Sequence, residues 1–289
     1  MLINELSMPI SIISLGEIGI SVDRMKSKLS KYYDEYQFDN YLLQQNKIDI
    51  IKKNLSDGNC ISEHVLKEIY QGIIKDDELI NFFPTLSTDT INYIKNLTPN
   101  RKRLISKYLL SYEDGNWLIE RVKNTPFEQK DAQITDDNNL DYRKSSRVFK
   151  ELPDDLCDSD LKDIMTFVAN KIYSVTKNTK LNIVVHHTVI YCSNDEEGTN
   201  SPEGIHQDGM DLIVSALVIE RRNILGAKSI IYGNDKKTEF VTCELQEGMG
   251  ILQADKGTEL WHTVTPIRPL DNNDISFRSS IGFDITLIG

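Results

Sequence analysis

Apolar positions along the chain follow two different periods. Val65, Leu66, Ile69 and Ile73 recur at helical spacing behind Ser62, a good N-cap residue, and Ile91, Ile94 and Leu97 repeat the pattern after Thr88. The first hundred residues therefore read mainly as helix, with no catalytic cluster visible; the one histidine there, His64, falls in a first helical turn, where a solvated or packing role is expected rather than ligation. A polar stretch over 130–146, containing Asp136, Asp137, Asn138 and Asn139, has no continuous apolar face and reads as loop. One more helix is predicted behind Asp158 or Ser159, lined by Leu161, Ile164, Met165, Val168 and Ile172. From there the period shortens to that of strands, predicted over 182–192, 210–220, 227–232, 238–245, 250–254, 261–265 and 277–288. Many short strands with Gly, Asn and Asp turns and no helix between them indicate an antiparallel sandwich or double-sheet barrel.

Size and composition bound the picture. A chain of 289 residues can bury one substantial core and carry a smaller addition. The expected organisation is a helical N-terminal extension over 1–98 and a mainly β domain over 99–289. With 27% charged and 39% hydrophobic residues the composition is that of a soluble globular protein. A net charge of -11 gives no electrostatic basis for holding a nucleic-acid backbone. Cys60, Cys157, Cys192 and Cys243 are scattered with no C-x-x-C pair, which suits reduced thiols. The apolar stretch from Met8 to Leu15 follows Glu5, with no Lys or Arg before Arg24, so it lacks the basic start of a secretory signal; no run of 18 apolar residues exists. A cytoplasmic protein with no membrane partner is expected.

Candidate chemistry centres on His206-Gln207-Asp208 and on His262 in Leu260-Trp261-His262-Thr263-Val264. Two imidazoles and one carboxylate form the ligand set of a non-haem Fe(II) site that leaves positions open for substrate and O₂. In an extended segment residues i and i+2 share a face, so His206 and Asp208 can reach one ion while Gln207 points away. His262 would join them from another strand, and Trp261 would pack in the core behind it. Downstream, Phe277-Arg278-Ser279-Ser280-Ile281-Gly282-Phe283 places Arg278 and Ser280 on one strand face, with Ile281, Phe283 and Ile285 on the other. A guanidinium offers a fixed fork for a carboxylate, and a hydroxyl two residues along can complete the contact. A jelly roll is the natural container for such a site. His186 and His187 are adjacent in a strand and must point to opposite faces, so only one can line a pocket.

The run Pro202-Glu203-Gly204-Ile205-His206-Gln207-Asp208-Gly209, then Arg221-Arg222-Asn223-Ile224-Leu225-Gly226, then His262-Thr263-Val264-Thr265-Pro266-Ile267 and Arg278, resembles the 2-oxoglutarate/Fe(II) dioxygenases that hydroxylate free L-amino acids, typified by bacterial L-isoleucine dioxygenase. The likeness extends upstream through Arg101, Arg103, Phe127-Glu128-Gln129 and Arg147-Val148-Phe149, so it covers about residue 100 onward. Ala227 stands where the family tends to have a second glycine after Gly226, and Ser279 where an aspartate commonly follows the arginine. The resemblance implies a double-stranded β-helix, or jelly-roll, core. It implies that His206, Asp208 and His262 ligate Fe(II), that Arg278 with Ser280 holds the distal carboxylate of 2-oxoglutarate, and that O₂ is the oxidant. The implied reaction is hydroxylation of an unactivated C–H bond, with succinate and CO₂ as co-products. Polar residues near the family-like motifs that could contact an amino-acid substrate are Glu203, Arg222, Gln129 and Arg147.

Two other readings remain at this level. The same chemistry could act on a peptide- or carrier-tethered residue docked by the N-terminal region, or the chain could be a non-catalytic jelly-roll metal binder. A pure metal binder has no need of the arginine clamp.

Overall fold

The computed structural model describes residues 10–55, 61–135, 140–272 and 274–289; Cys60 and the loop residues Asp136, Asp137, Asn138 and Asn139 lie outside the described residues, as does Met8 of the N-terminal apolar stretch. In chain order the elements are β1 (Ser11–Ser14), α1 (Val22–Leu29), β2 (Gln37–Phe38), α2 (Asn40–Asn54), α3 (Glu63–Tyr70), α4 (Leu79–Phe82), α5 (Thr88–Asn96), β3 (Arg101–Glu113), β4 (Asn116–Val122), β5 (Gln133–Ile134), α6 (Ser159–Thr176) and β6 (Lys180–Cys192). They continue with β7 (His206–Gln207), β8 (Leu212–Arg222), β9 (Ile224–Gly226), β10 (Lys228–Tyr232), β11 (Glu239–Glu244), β12 (Met249–Ala254), β13 (Trp261–Val264), β14 (Ile267–Pro269) and β15 (Ser276–Leu287).

Two antiparallel sheets form the jelly roll. The larger runs β1-β12-β8-β15-β6-β3-β2 with β4 added to β3, and the smaller runs β11-β10-β13-β7-β5. The period of two decides what each face of the larger sheet buries. Leu181, Ile183, Val185 and Val189 of β6, Ile281, Phe283 and Ile285 of β15, and Leu104, Tyr108 and Leu110 of β3 join the apolar face of α6 in the main core. Asp158 accepts from the Leu161 backbone N–H and caps α6, whose Ile164, Met165 and Val168 are fully buried. The alternate residues of the same strands, among them His186, Thr188, Ile190, Arg278 and Ser280, line a cavity facing the smaller sheet. His186 and His187 accordingly part: His186 faces the cavity, while His187 Nδ1 is 3.1 Å from the Tyr36 hydroxyl on the other side.

Seven strands lie where the alternation predicts them, but two long ones, β3 and β4, have no counterpart in the sequence reading. β3 begins Arg101-Lys102-Arg103, so its cavity face is basic and its alternation is masked at the start. α5 stops short of Leu97, since Thr98 precedes Pro99 and is disfavoured in a helix. Before residue 40 the chain is not all helical: β1 pairs with β12, β2 pairs with β3, and Ile13, Leu15, Met25, Leu29 and Tyr33 enter the main core. α2, α3 and α5 build a second core around Ile48, Ile51, Leu66, Ile69 and Ile94, to which Tyr142 contributes from the later chain. Among the described residues no helix is long and apolar enough to cross a membrane.

Asp39 ties the start of α2 to β3. Its carboxylate accepts from the Leu42 N–H and from Arg101, whose Nε and Nη2 lie 3.0 and 2.8 Å away. Burial pushes this carboxyl up, but Arg101 and Arg103 outweigh burial and hold it at about 2, below the ordinary 3.8. A carboxyl depressed on folding stabilises the folded state fully above its unfolded value and loses that contribution as pH falls through the folded one, here about 2 kcal/mol. Urea unfolding of wild type and Asp39→Asn is expected to show a stability gap that shrinks by about this amount from about pH 5 to about pH 2. A gap independent of pH would show that the Asp39 charge is not what the arginines neutralise.

Candidate metal centre and active site

His206 and His262 are directly paired across the ladder between β7 and β13, so their side chains leave the smaller sheet side by side, ring centroids 4.3 Å apart. Asp208 follows at the end of β7. Its Oδ2 is 3.3 Å from His262 Nε2 and its Oδ1 is 3.6 Å from His206 Nε2. One ligand-capable atom from each of the three lies within 4.8 Å of the others. Gln207 points away, as the alternation requires, and donates to the carbonyls of Asp255, Thr258 and Leu260.

The surroundings hold His206 and Asp208 in the forms that receive a cation, and the Asp208 charge makes His262 more basic. His206 Nδ1 donates to the Gly204 carbonyl at 2.8 Å, which fixes the tautomer with a lone pair on Nε2. Burial, then the neighbouring His262 and Arg143, pushes the His206 imidazole down to about 4, so it is neutral at physiological pH. Burial would raise the Asp208 carboxyl, yet its contact with His262 and the charges around it hold it well below the usual range. Burial opposes charge on His262, but Asp208 overrides it and raises the imidazole. A neutral imidazole and an ionised carboxylate are the forms that ligate a metal.

Asp208 is also oriented from the far side. Gln129 Nε2 donates to Oδ1 at 2.8 Å and Arg143 Nη1 to the same oxygen at 3.1 Å. Beneath the loop, Asp255 accepts from the backbone N–H groups of Asp208, Gly209 and Met210 at 3.2, 2.7 and 3.1 Å. Gly209 has φ +81°, and a Cβ there would sit 2.3 Å from the Ala132 nitrogen, so the turn after Asp208 admits no side chain. Burial and the Asp208 charge push the Asp255 carboxyl up to about 7. Asp255→Asn is expected to weaken metal affinity by roughly 10–100-fold, because a partner that orients a ligand sets its geometry. Titration of wild type and variant with Co(II), read by absorbance, checks this; equal affinities would reduce Asp255 to a packing residue.

The cavity between the sheets has a volume of about 130 Å³. Arg278 projects into it from β15, only 2% exposed, its Nη1 donating to Asn200 Oδ1 at 2.8 Å while Nε and Nη2 are buried with no hydrogen-bond partner among the described residues. Ser280 lines the cavity two residues along the same face. Burial, with Arg221 nearby, pushes Arg278 down to about 10. A buried guanidinium with two free donors facing a cavity is suited to an anion. Of the expected substrate residues, Gln129, Arg147 and Glu203 line this cavity, and Glu203 Oε1 is 4.0 Å from Arg143 Nε. Arg222 does not: it ends β8, about half exposed, and pairs with Asp274 on the surface. Trp261 is buried on the outer side of β13 with Lys236 4.0 Å over its ring, and His64 is exposed beside Glu68.

Sequence reasoning missed Arg143, Asp255 and Asn200, which carry no motif; each acts on a partner far away in the chain. Ala227, at the position where a glycine was anticipated from family likeness, has φ +56°, the left-handed region that glycine favours.

The family model for 2OG-Fe dioxygenases matches residues 81–284. No curated protein matches the sequence. Among solved structures, a bsmA homologue from Methylobium petroleophilum PM1 is similar with a TM-score of 0.62 at 15% identity, over 96% of this chain and 88% of that one. TqaL, an Fe(II)/α-ketoglutarate-dependent dioxygenase, is similar with a TM-score of 0.50 at 15% identity, over 86% of this chain and 89% of that one. At such identities these two likenesses speak for the fold alone.

Proposed function

The chain belongs to the 2OG-Fe dioxygenase family, which uses Fe(II), 2-oxoglutarate and O₂, and from that premise we propose that it hydroxylates an unactivated C–H bond of a free L-amino acid or a similar small metabolite. The observation that carries this reading is one cavity between the sheets holding a two-histidine, one-carboxylate cluster, an arginine with free donors, and further charges of both signs.

In this reading His206 Nε2, His262 Nε2 and an Asp208 oxygen hold Fe(II), and the donor set fits a cation because the imidazole of His206 is kept neutral and Asp208 ionised. When bound, iron with 2-oxoglutarate and O₂ supplies the oxidant, and the co-products are succinate and CO₂. Arg278 and Ser280 take the distal carboxylate of 2-oxoglutarate, with Asn200 fixing the plane of the guanidinium. Gln129 and Arg143 keep Asp208 turned toward the histidines. No proton need be shuttled by an acid/base pair. Glu203, at the cavity margin, suits an ammonium, and Arg147 a carboxylate.

The test is incubation of the purified protein with Fe(II), ascorbate, 2-oxoglutarate and O₂ against each of the twenty proteinogenic L-amino acids, with mass analysis. A product heavier by one oxygen atom, formed with succinate, is expected from one or a few of them. Succinate release with no such product would remove the free amino acid from the reading and leave the oxygenase.

A further inference from the structure

Besides Arg278, four guanidinium groups line the cavity; Arg143 is taken up by Asp141 and Asp208, which leaves Arg101, Arg103 and Arg147. Arg101 and Arg103 project onto its floor from β3. The ladder places them in the rows Arg101, Ile190, Arg278 and Arg103, Thr188, Ser280, so β6 separates them from the arginine clamp of β15. Two strand spacings make that offset roughly 10 Å. Arg147 arrives from the bridge it forms with Phe127, its guanidinium 4.8 Å from that ring.

These groups differ in how they are partnered. Arg101 is engaged by Asp39. Arg103 lies 5.6 Å over the Phe149 ring, and its buried Nε is 3.7 Å from Asp39 Oδ2, beyond hydrogen-bond reach, so its side chain donates no hydrogen bond to a described residue. Arg147 gives Nη2 to Gln129 Oε1 at 2.6 Å and to the Arg143 carbonyl at 3.4 Å, both neutral acceptors, and its Nε is likewise buried and unpartnered. These three cations thus have one carboxylate in ion-pair contact, Asp39; Asp284, also in the cavity lining, attracts Arg103 less than Asp39 does. Burial and then Arg101 push Arg103 down to about 10, as expected of a charge with too little compensation. Desolvated guanidinium groups with free donors are sustained when an anion completes them.

We infer that Arg103 and Arg147 form a second anion subsite, which holds the carboxylate of the substrate while Arg278 holds that of 2-oxoglutarate. This rests on the amino-acid reading above and adds its selectivity: the enzyme takes the acid and rejects the amide. Arg103 and Arg147 are specificity residues rather than metal or co-substrate residues. Arg101 supports them through Asp39.

The experiment uses the full chain with Fe(II) and 2-oxoglutarate, and two probe mixtures: the twenty proteinogenic L-amino acids and their C-terminal amides. Wild type is expected to hydroxylate a member of the first mixture and not its amide. Arg103→Gln and Arg147→Gln are each expected to raise the KM for that acid roughly 10²-fold. Both should leave the KM for 2-oxoglutarate and the absorption band of the anaerobic Fe(II)/2-oxoglutarate complex unchanged, which also shows that they fold. Arg103→Lys, which keeps the charge but not the fork, should recover part of the loss. Hydroxylation of an acid with unchanged KM in both glutamine variants, or equal use of acid and amide by wild type, would overturn the subsite and spare the proposed function. A wild type that consumes 2-oxoglutarate but accepts no acid would sink both.

Discussion

His206→Ala and His262→Ala are each expected to abolish tight metal binding and to lower turnover by at least ~10³-fold, corresponding to the loss of several kcal/mol of charge stabilisation that a bound metal provides. Each imidazole supplies one of the three converging donors found among the described residues, and the two are ladder partners on the strands that form the site. Their removal differs from that of Asp255, which touches the backbone of the loop rather than the ion. Fe(II) or Co(II) titration and succinate release measure the two effects separately. Wild-type turnover in both histidine variants would refute the site assignment.

Arg278→Ala is expected to leave metal binding intact while raising the 2-oxoglutarate requirement by roughly 10²–10³-fold, since truncating one partner of a buried, hydrogen-bonded charge pair costs about 2–5 kcal/mol. The size follows from burial: the side chain is 2% exposed, and two of its donors meet no acceptor among the described residues, so the co-substrate would supply their partners. Titration of the anaerobic Fe(II) protein with 2-oxoglutarate reads this directly. A Kd within a few fold of wild type would remove Arg278 from the co-substrate site. Exogenous guanidinium offers a control, because it should restore part of the affinity in the alanine variant alone.

Where local periodicity and chemistry coincide, the sequence was sufficient. Arg278 and Ser280 lie two apart on β15, and His206 and Asp208 two apart where β7 ends, so each pair's common face follows from extended backbone geometry. The jelly roll itself followed from short alternating strands without intervening helices, and α6 from its capped apolar stripe. What was not legible depends on contacts between distant positions. Gln129, Arg143 and Asp255 act on the Asp208 segment across 79, 65 and 47 positions, and nothing local to them signals it. β3 was hidden because its cavity face carries Arg101 and Arg103, so charged residues stand at buried positions and mask the alternation. Arg222 misled for the opposite reason: it adjoins a family-like run, but it closes β8 at the surface, where Asp274 satisfies it. The first forty residues resisted because β1 and β2 are too short for a period to register, and only pairing with β12 and β3 makes them strands.

The central claim is that the three-residue cluster and Arg278 couple 2-oxoglutarate breakdown to oxygen insertion into a small substrate. The most direct measurement is turnover under oxygen-18 gas with the amino acid that yields product. One heavy oxygen in succinate and a heavy oxygen in the hydroxylated amino acid, formed in equal amounts, are the predicted result. Unlabelled succinate, or product formed without consumption of 2-oxoglutarate, would contradict it.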